Sequence, residues 1–375
     1  MPDTLEVGYG FASRVGRGFG SVFVDRRSTW RIRARAVVLA AALCLGVGTA
    51  AGAQAEAPAS SSAAWVGTPA APDGSVIARV EEPDGRNIRI WVRSAAMDGA
   101  TFPVDIQRPA DTTQPRPTLY LLNGAGGGVD DASWQLRTNV LDFLSDKNVN
   151  VVQPVGGQFS YYTDWINYDP VLGPNKWKTY LTEELPPLID AALGTNQVNA
   201  IAGLSMAGTS VLALSIAKPE LYRSVASYSG CAQTSDPIGE AFVQMTVERG
   251  GGTIANMWGP PGSPLWAAND PLVHADKLRG VNLFVSSGSG LPGPHDTLDG
   301  PFQIKPGVSQ WADQLVVGGA IEAGIRMCSV NLQNRLNQLG IPATFDFTLT
   351  GTHSWGYWQD AFVASWPVLA KGLYS

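Results

Sequence analysis

A serine at a sharp bend between a strand and a helix can act as a nucleophile, and residues 198–217 carry that pattern. Val198-Asn199-Ala200-Ile201-Ala202 reads as a strand, Gly203-Leu204-Ser205-Met206-Ala207-Gly208 as the bend, and Thr209–Ala217 as the helix that follows. Small neighbours are needed because the backbone folds tightly around such a serine, and Gly203 and Ala207 supply them. The helix N-terminus favours negative charge, so the Met206 N–H is a candidate donor to an oxyanion. A second donor is expected from the loop after an earlier strand. Leu119-Tyr120-Leu121-Leu122 runs into Asn123-Gly124-Ala125-Gly126-Gly127-Gly128, and Ala125 is the candidate. That glycine-rich loop lacks the Lys-Ser/Thr ending that a phosphate-binding loop would carry.

A serine nucleophile needs a base, and the chain has three histidines: His274, His295 and His353. His353 directly follows the last apolar strand, where this order of elements delivers its base. The acid is open at this point. Asp296 and Asp299 follow the strand Val281–Val285, and Glu322 begins a later helix; any of them could orient an imidazole. The histidines are far apart in sequence and no His-Glu-x-x-His spacing occurs, so neither a metal nor a cofactor is expected.

These residues need a scaffold. Asn87–Arg93 alternates as a half-buried strand, with residues 104–106 as its hairpin partner. Apolar runs follow at 118–122, 149–152, 198–202, 225–228, 281–285 and 344–349, with helical stretches at 177–193, 206–217 and 321–339 between them. Buried strands alternating with helices predict an α/β protein of the α/β-hydrolase type, its mostly parallel central sheet covered by helices on both faces. The expected organisation is an export signal over 1–55, a linker over 56–74 and one catalytic domain over 75–375.

The export reading rests on Arg31, Arg33 and Arg35 ahead of an apolar run from Ala36 to about Ala51, then Ala53-Gln54-Ala55 as a cleavage site. The run is shorter than the roughly 20 residues a spanning helix needs, so no lasting membrane span is expected. The remainder holds 19 basic and 29 acidic side chains. A net of −10 excludes nucleic acid as an expected partner. Cys231 and Cys328 remain after cleavage, and in an oxidising compartment they either pair or stay as two buried thiols. With twelve Trp in the chain, Trp258, Trp355 and Trp358 are candidates to line an apolar groove.

The motifs Tyr120-Leu121-Leu122-Asn123-Gly124, Pro154-Val155-Gly156-Gly157-Gln158 with Tyr162-Thr163-Asp164-Trp165, Gly203-Leu204-Ser205-Met206-Ala207, Met257-Trp258-Gly259-Pro260 and Gly351-Thr352-His353-Ser354-Trp355 together resemble the antigen 85 mycolyltransferases, over roughly residues 75–365. The resemblance implies a secreted, cell-envelope serine acyltransferase with a Ser-Glu-His triad, which selects Glu322 as the acid. It implies a mycolyl donor, trehalose monomycolate, and a trehalose or cell-wall sugar acceptor, with Asn123, Trp258, Ser354 and Trp355 as substrate contacts. The sequence departs from that family where the sugar is gripped. Asn123 stands in place of an Asp, Gly126 of an Arg and Ala132 of an Asn. Loss of those groups makes a secreted carboxylesterase with the same triad the alternative.

Overall fold

Four consecutive apolar runs, Thr118–Leu122, Asn150–Pro154, Asn199–Leu204 and Ser224–Tyr228, form strands in which every residue is buried. Strands buried on both faces must lie inside a sheet covered from both sides, and the computed structural model, which describes residues 65–67 and 71–375, has that arrangement. The expected export signal and twelve of the nineteen residues of the expected linker, 56–64 and 68–70, lie outside the described residues.

Among the described residues nine strands make one mixed sheet: β1 (Val76–Glu81), β2 (Asn87–Arg93), β3 (Thr101–Gln107), β4 (Thr118–Leu122), β5 (Asn150–Pro154), β6 (Asn199–Leu204), β7 (Ser224–Tyr228), β8 (Asn282–Ser287) and β9 (Thr344–Phe347). Their spatial order is β1-β2-β3-β5-β4-β6-β7-β8-β9. β1, β2, β3 and β5 pair antiparallel in succession, and from β5 to β9 every neighbouring pair is parallel. This is the α/β-hydrolase class expected from the sequence. β1 was not foreseen, because Val76-Ile77-Ala78-Arg79-Val80-Glu81 mixes buried and exposed positions without a clean alternation.

Five helices matter for the site. α1 is the helical stretch 177–193, α2 is Met206–Ala217, α3 is Pro237–Arg249, α4 is Val308–Leu339 and α5 is Trp355–Leu373. Alternate residues of the strands feed two separate cores. Tyr120, Leu122, Val152, Ile201 and Val225 pack with Val211 and Leu212 of α2 on one face. Leu119, Leu121, Val151, Ala200 and Ala226 pack with Trp358, Phe362 and Leu369 of α5 on the other. α4 begins at Val308, passes through a π turn at Gln314–Gly318 and continues as Gly319–Leu339. By length and composition α4 could cross a membrane. Its Ile325, Cys328, Leu332 and Leu336 are instead buried inside the protein, as in a core helix.

Two covalent or charge-assisted staples fasten the loops above the sheet. Cys231, just beyond β7, is disulfide-bonded to Cys328 of α4, with the Cα atoms 5.0 Å apart. Asp169 is 1% exposed and accepts hydrogen bonds from the backbone N–H groups of Val171, Leu172 and Thr253 and from Asn256 Nδ2. Burial pushes its carboxyl up, but the Asn256 and backbone donors outweigh burial and hold it below the ordinary 3.8. A depressed carboxylate stabilises the fold fully above its unfolded value and ceases to do so as pH falls through the folded one. Asp169→Ala is therefore expected to cost about 3 kcal/mol of unfolding free energy at pH 7. In urea melts the gap between the two proteins should narrow as the pH falls through the folded value of Asp169, below 3.8.

Candidate active site

In an open parallel sheet the loops leaving the carboxyl ends of neighbouring strands converge on one crevice. β4 and β6 are adjacent, so the loop after Leu122 lies beside the bend after Leu204. β7, β8 and β9 follow in order, and their exits carry Ser229, Gly288 and His353.

Ser205 sits at φ 56°, ψ −124°, a backbone conformation that L-residues rarely adopt. The strand-to-helix reversal requires it, and the small residues make it possible. A Cβ on Gly203 would lie 2.8 Å from the Ala207 Cβ, and one on Gly208 would lie 2.9 Å from the Gly230 Cα beyond β7. The Ser205 N–H donates to Tyr228 O at 2.8 Å, which ties the bend to the neighbouring strand.

From Ser205 a continuous chain of contacts leads to a carboxylate. Ser205 Oγ is 2.8 Å from His353 Nε2, and His353 Nδ1 is 2.8 Å from Glu322 Oε2. The His353 side chain is 12% exposed and that of Glu322 1%. The other oxygen, Glu322 Oε1, accepts from Ser229 Oγ at 2.7 Å and from the Gly288 N–H at 2.6 Å. Trp358 Nε1 donates to Ser229 Oγ at 3.0 Å, and its ring meets the imidazole edge to face at 4.8 Å. The carboxylate is therefore held by the exits of two strands, and the imidazole is packed by α5. Of the three acidic candidates, Glu322 reaches His353. Asp296 bonds Thr352, Gln314, Gly293 and Tyr357, and Asp299 accepts from the Gly307 N–H.

Two unlike cavities meet at Ser205, His353 and Ala125. A cleft of about 530 Å³ is lined by Gly126, Asp130, Gln303, Gln310, Gln314, Ser354 and Trp355 among others. A second cavity of about 150 Å³ runs between α3 and α4, lined by Phe242, Met245, Ile321 and Ile325, with Met206 and Cys231. Met206 opens α2, so its N–H lacks an acceptor within the helix and is free for a ligand. The loop that carries Ala125 is held from behind. The Phe159 N–H donates to Ala125 O, the Gly156 N–H to Gly127 O, and Tyr162 Oη to Asn123 O.

Two expected substrate contacts are corrected. Asn123 is 2% exposed, and its Oδ1 accepts from the Trp134 N–H at 3.1 Å, so the side chain braces the loop instead of facing the cleft. Trp258 is 3% exposed, donates to Thr163 Oγ1 and stacks edge-on with Trp266, outside both cavities. It fills the core, which is the commonest use of a tryptophan. Ser354, Trp355 and Trp358 do line the cleft. Sequence reasoning missed Ser229 and Gly288. Each follows a buried parallel strand directly, and that position is the signal by which they could have been found.

A family model described as a putative esterase matches residues 94–369. The diacylglycerol acyltransferase/mycolyltransferase Ag85A of Mycobacterium tuberculosis is 32% identical over 267 residues, 68% of this chain and 74% of that protein. The corresponding Ag85B of Mycobacterium leprae is 32% identical over 294 residues, 76% of this chain and 83% of that protein. Among solved structures, Mycobacterium tuberculosis MPT51 (FbpC1) superposes with a TM-score of 0.61 at 26% identity, covering 75% of this chain and 96% of that one.

Proposed function

The chain belongs to the antigen 85 mycolyltransferase family, and from that membership we propose that it moves a mycolyl or similar long-chain acyl group from trehalose monomycolate to trehalose or a cell-wall sugar. An acyltransferase or esterase activity of the serine-hydrolase type follows from the family itself. The finer reading is carried by one observation, the unbroken relay Ser205–His353–Glu322 at the junction of a narrow apolar cavity and a wider cleft of mixed polar and apolar lining.

Ser205 Oγ attacks the ester carbonyl while His353 Nε2 takes its proton, and Glu322 stabilises the imidazolium. The oxyanion is received by the N–H groups of Ala125 and Met206. Collapse expels the donor alcohol, which takes the proton from His353, and leaves an acyl-serine. The acceptor hydroxyl then repeats the sequence in reverse, and Ser205 is released. The start of the acyl chain enters the cavity between α3 and α4, and the alcohols exchange through the cleft past Ser354 and Trp355. Residues 31–55 support export, which brings the enzyme to a cell-envelope substrate.

Hydrolysis is the second reading, and a specific observation favours it. The cleft wall has Gly126 and Ala132 where a sugar would need side-chain donors, and the Asn123 side chain is engaged elsewhere. Incubation of purified protein with trehalose monomycolate, read by mass spectrometry, is expected to yield dimycolate and free trehalose. Free acid without any transfer product, with or without added acceptor, would assign the hydrolase reading. The absence of any turnover would remove both.

A further inference from the structure

Asp296 is 8% exposed and, among the described residues, its side chain forms no salt bridge; the four groups that donate to its carboxylate are all neutral. A carboxylate so placed is costly unless its lone pairs are filled, and here they are. Oδ1 accepts from Thr352 Oγ1 and from Gln314 Nε2 at 2.7 Å. Oδ2 accepts from the Gly293 N–H at 2.8 Å and from Tyr357 Oη at 2.6 Å. The Asp296 carbonyl also accepts from Trp311 Nε1 at 2.9 Å. One residue thus gathers its own loop after β8, the first half of α4, the loop that carries His353, and the first turn of α5.

Thr352 is the point of contact with the chemistry. It is 1% exposed and immediately precedes His353. On the other side of the imidazole, Ser354 Oγ has no hydrogen-bond partner. Of the two chain neighbours of His353, Thr352 is therefore the one whose side chain is anchored. The loop is tied through its backbone as well, by the His353 N–H to Gly318 O, the Gly351 N–H to Leu291 O and the Gly290 N–H to Gly351 O, and Ser289 Oγ donates to Leu349 O at its start. Only a carboxylate can receive two donors on each oxygen; an amide in its place would turn its own N–H₂ toward two of them.

We propose that Asp296 is a positioning residue for acyl transfer, which fixes the approach of His353 to Ser205 through Thr352. This rests on the reading of Ser205 and His353 as nucleophile and base. Burial, followed by the Asp296 contact, raises the Tyr357 phenol above its ordinary value. A shift of about 1 Å in a catalytic group costs on the order of a hundredfold in rate, so slackening one of its loop ties is expected to cost about tenfold.

The test is the rate of covalent labelling by a fluorophosphonate, measured per folded molecule, for wild type, Thr352→Val, Thr352→Ser and Asp296→Asn. Thr352→Val removes the hydroxyl but keeps the shape, and Thr352→Ser restores the hydroxyl. Labelling of Thr352→Val about tenfold slower at an unchanged reagent KI, with recovery in Thr352→Ser, is the expected result. Equal rates for wild type and Thr352→Val would overturn the proposal, as would an equal loss in Thr352→Ser. Asp296→Asn is expected to slow labelling further, and a folded Asp296→Asn that labels at the wild-type rate would also overturn it. Failure of wild type to label would instead remove the nucleophile reading, so the two failures are distinct.

Discussion

Ser205→Ala is expected to abolish turnover of any ester, with kcat reduced about 10⁶-fold and fluorophosphonate labelling lost. The reason is local. The bend aims Oγ at His353 Nε2 at 2.8 Å, and among the described residues no other side-chain hydroxyl is hydrogen-bonded to that nitrogen. Binding survives, because both cavities are lined chiefly by other residues. The variant should therefore still bind an acyl ester while it no longer cleaves it. A companion substitution separates chemistry from strain. Alanine at 205 keeps a Cβ at φ 56°, whereas glycine adopts that conformation freely. Ser205→Gly is expected to be as inactive as Ser205→Ala but about 1 kcal/mol more stable, a rise of about 2 °C in Tm by calorimetry. Residual activity above about one part in a thousand in either variant would point to a different nucleophile.

Glu322→Gln is expected to lower kcat/KM by about 10³–10⁴-fold while changing the fold little. Glu322 Oε1 must remain an acceptor, because Ser229 Oγ and the Gly288 N–H both donate to it. An amide satisfies them with its oxygen and turns its N–H₂ toward His353 Nδ1. That nitrogen must then accept, so the ring proton moves to Nε2, the atom that has to take the proton from Ser205. The ring becomes the wrong tautomer without moving. Glu322→Asp keeps the charge but shortens the reach, and a smaller loss is expected. A Glu322→Gln enzyme within tenfold of wild type would show that the imidazole draws its orientation from elsewhere, with the edge of Trp358 the first place to look.

The sequence carried the strands of the parallel half well, because burial on both faces leaves short apolar runs with little ambiguity, as in Thr118–Leu122 and Ser224–Tyr228. The small residues around Ser205 announced the bend found there, and the place of His353 after the last strand announced a loop that opens beside that bend. The residues alone left the acid open, and the resemblance to the antigen 85 family selected Glu322. Asp296, Asp299 and Glu322 all lie between β8 and β9, and the choice depends on where a long helix crosses the strand exits, which is a tertiary fact. Asn123 and Trp258 were misread for a related reason. Residue type announced a capacity for hydrogen bonding or stacking, and only packing reveals that Trp134, Thr163 and Trp266 already use that capacity. α5 was invisible because its Trp-rich face and internal Pro367 obscure a helical period.

The wide turn at Gln314–Gly318 has a consequence for which kinds of change the enzyme tolerates. Before it and at its first residue, Trp311 and Gln314 face Asp296; downstream, Glu322 faces His353. A π turn holds one residue more than the α-helical turn it replaces. The two ends of α4 are therefore out of phase with each other by design of length, not of composition. Removing a single residue from that stretch would let the helix run straight and swing one end about 100° around its axis. One partner or the other would then face empty space. Val316, 71% exposed, could be exchanged for many side chains with little effect, yet it could not be deleted.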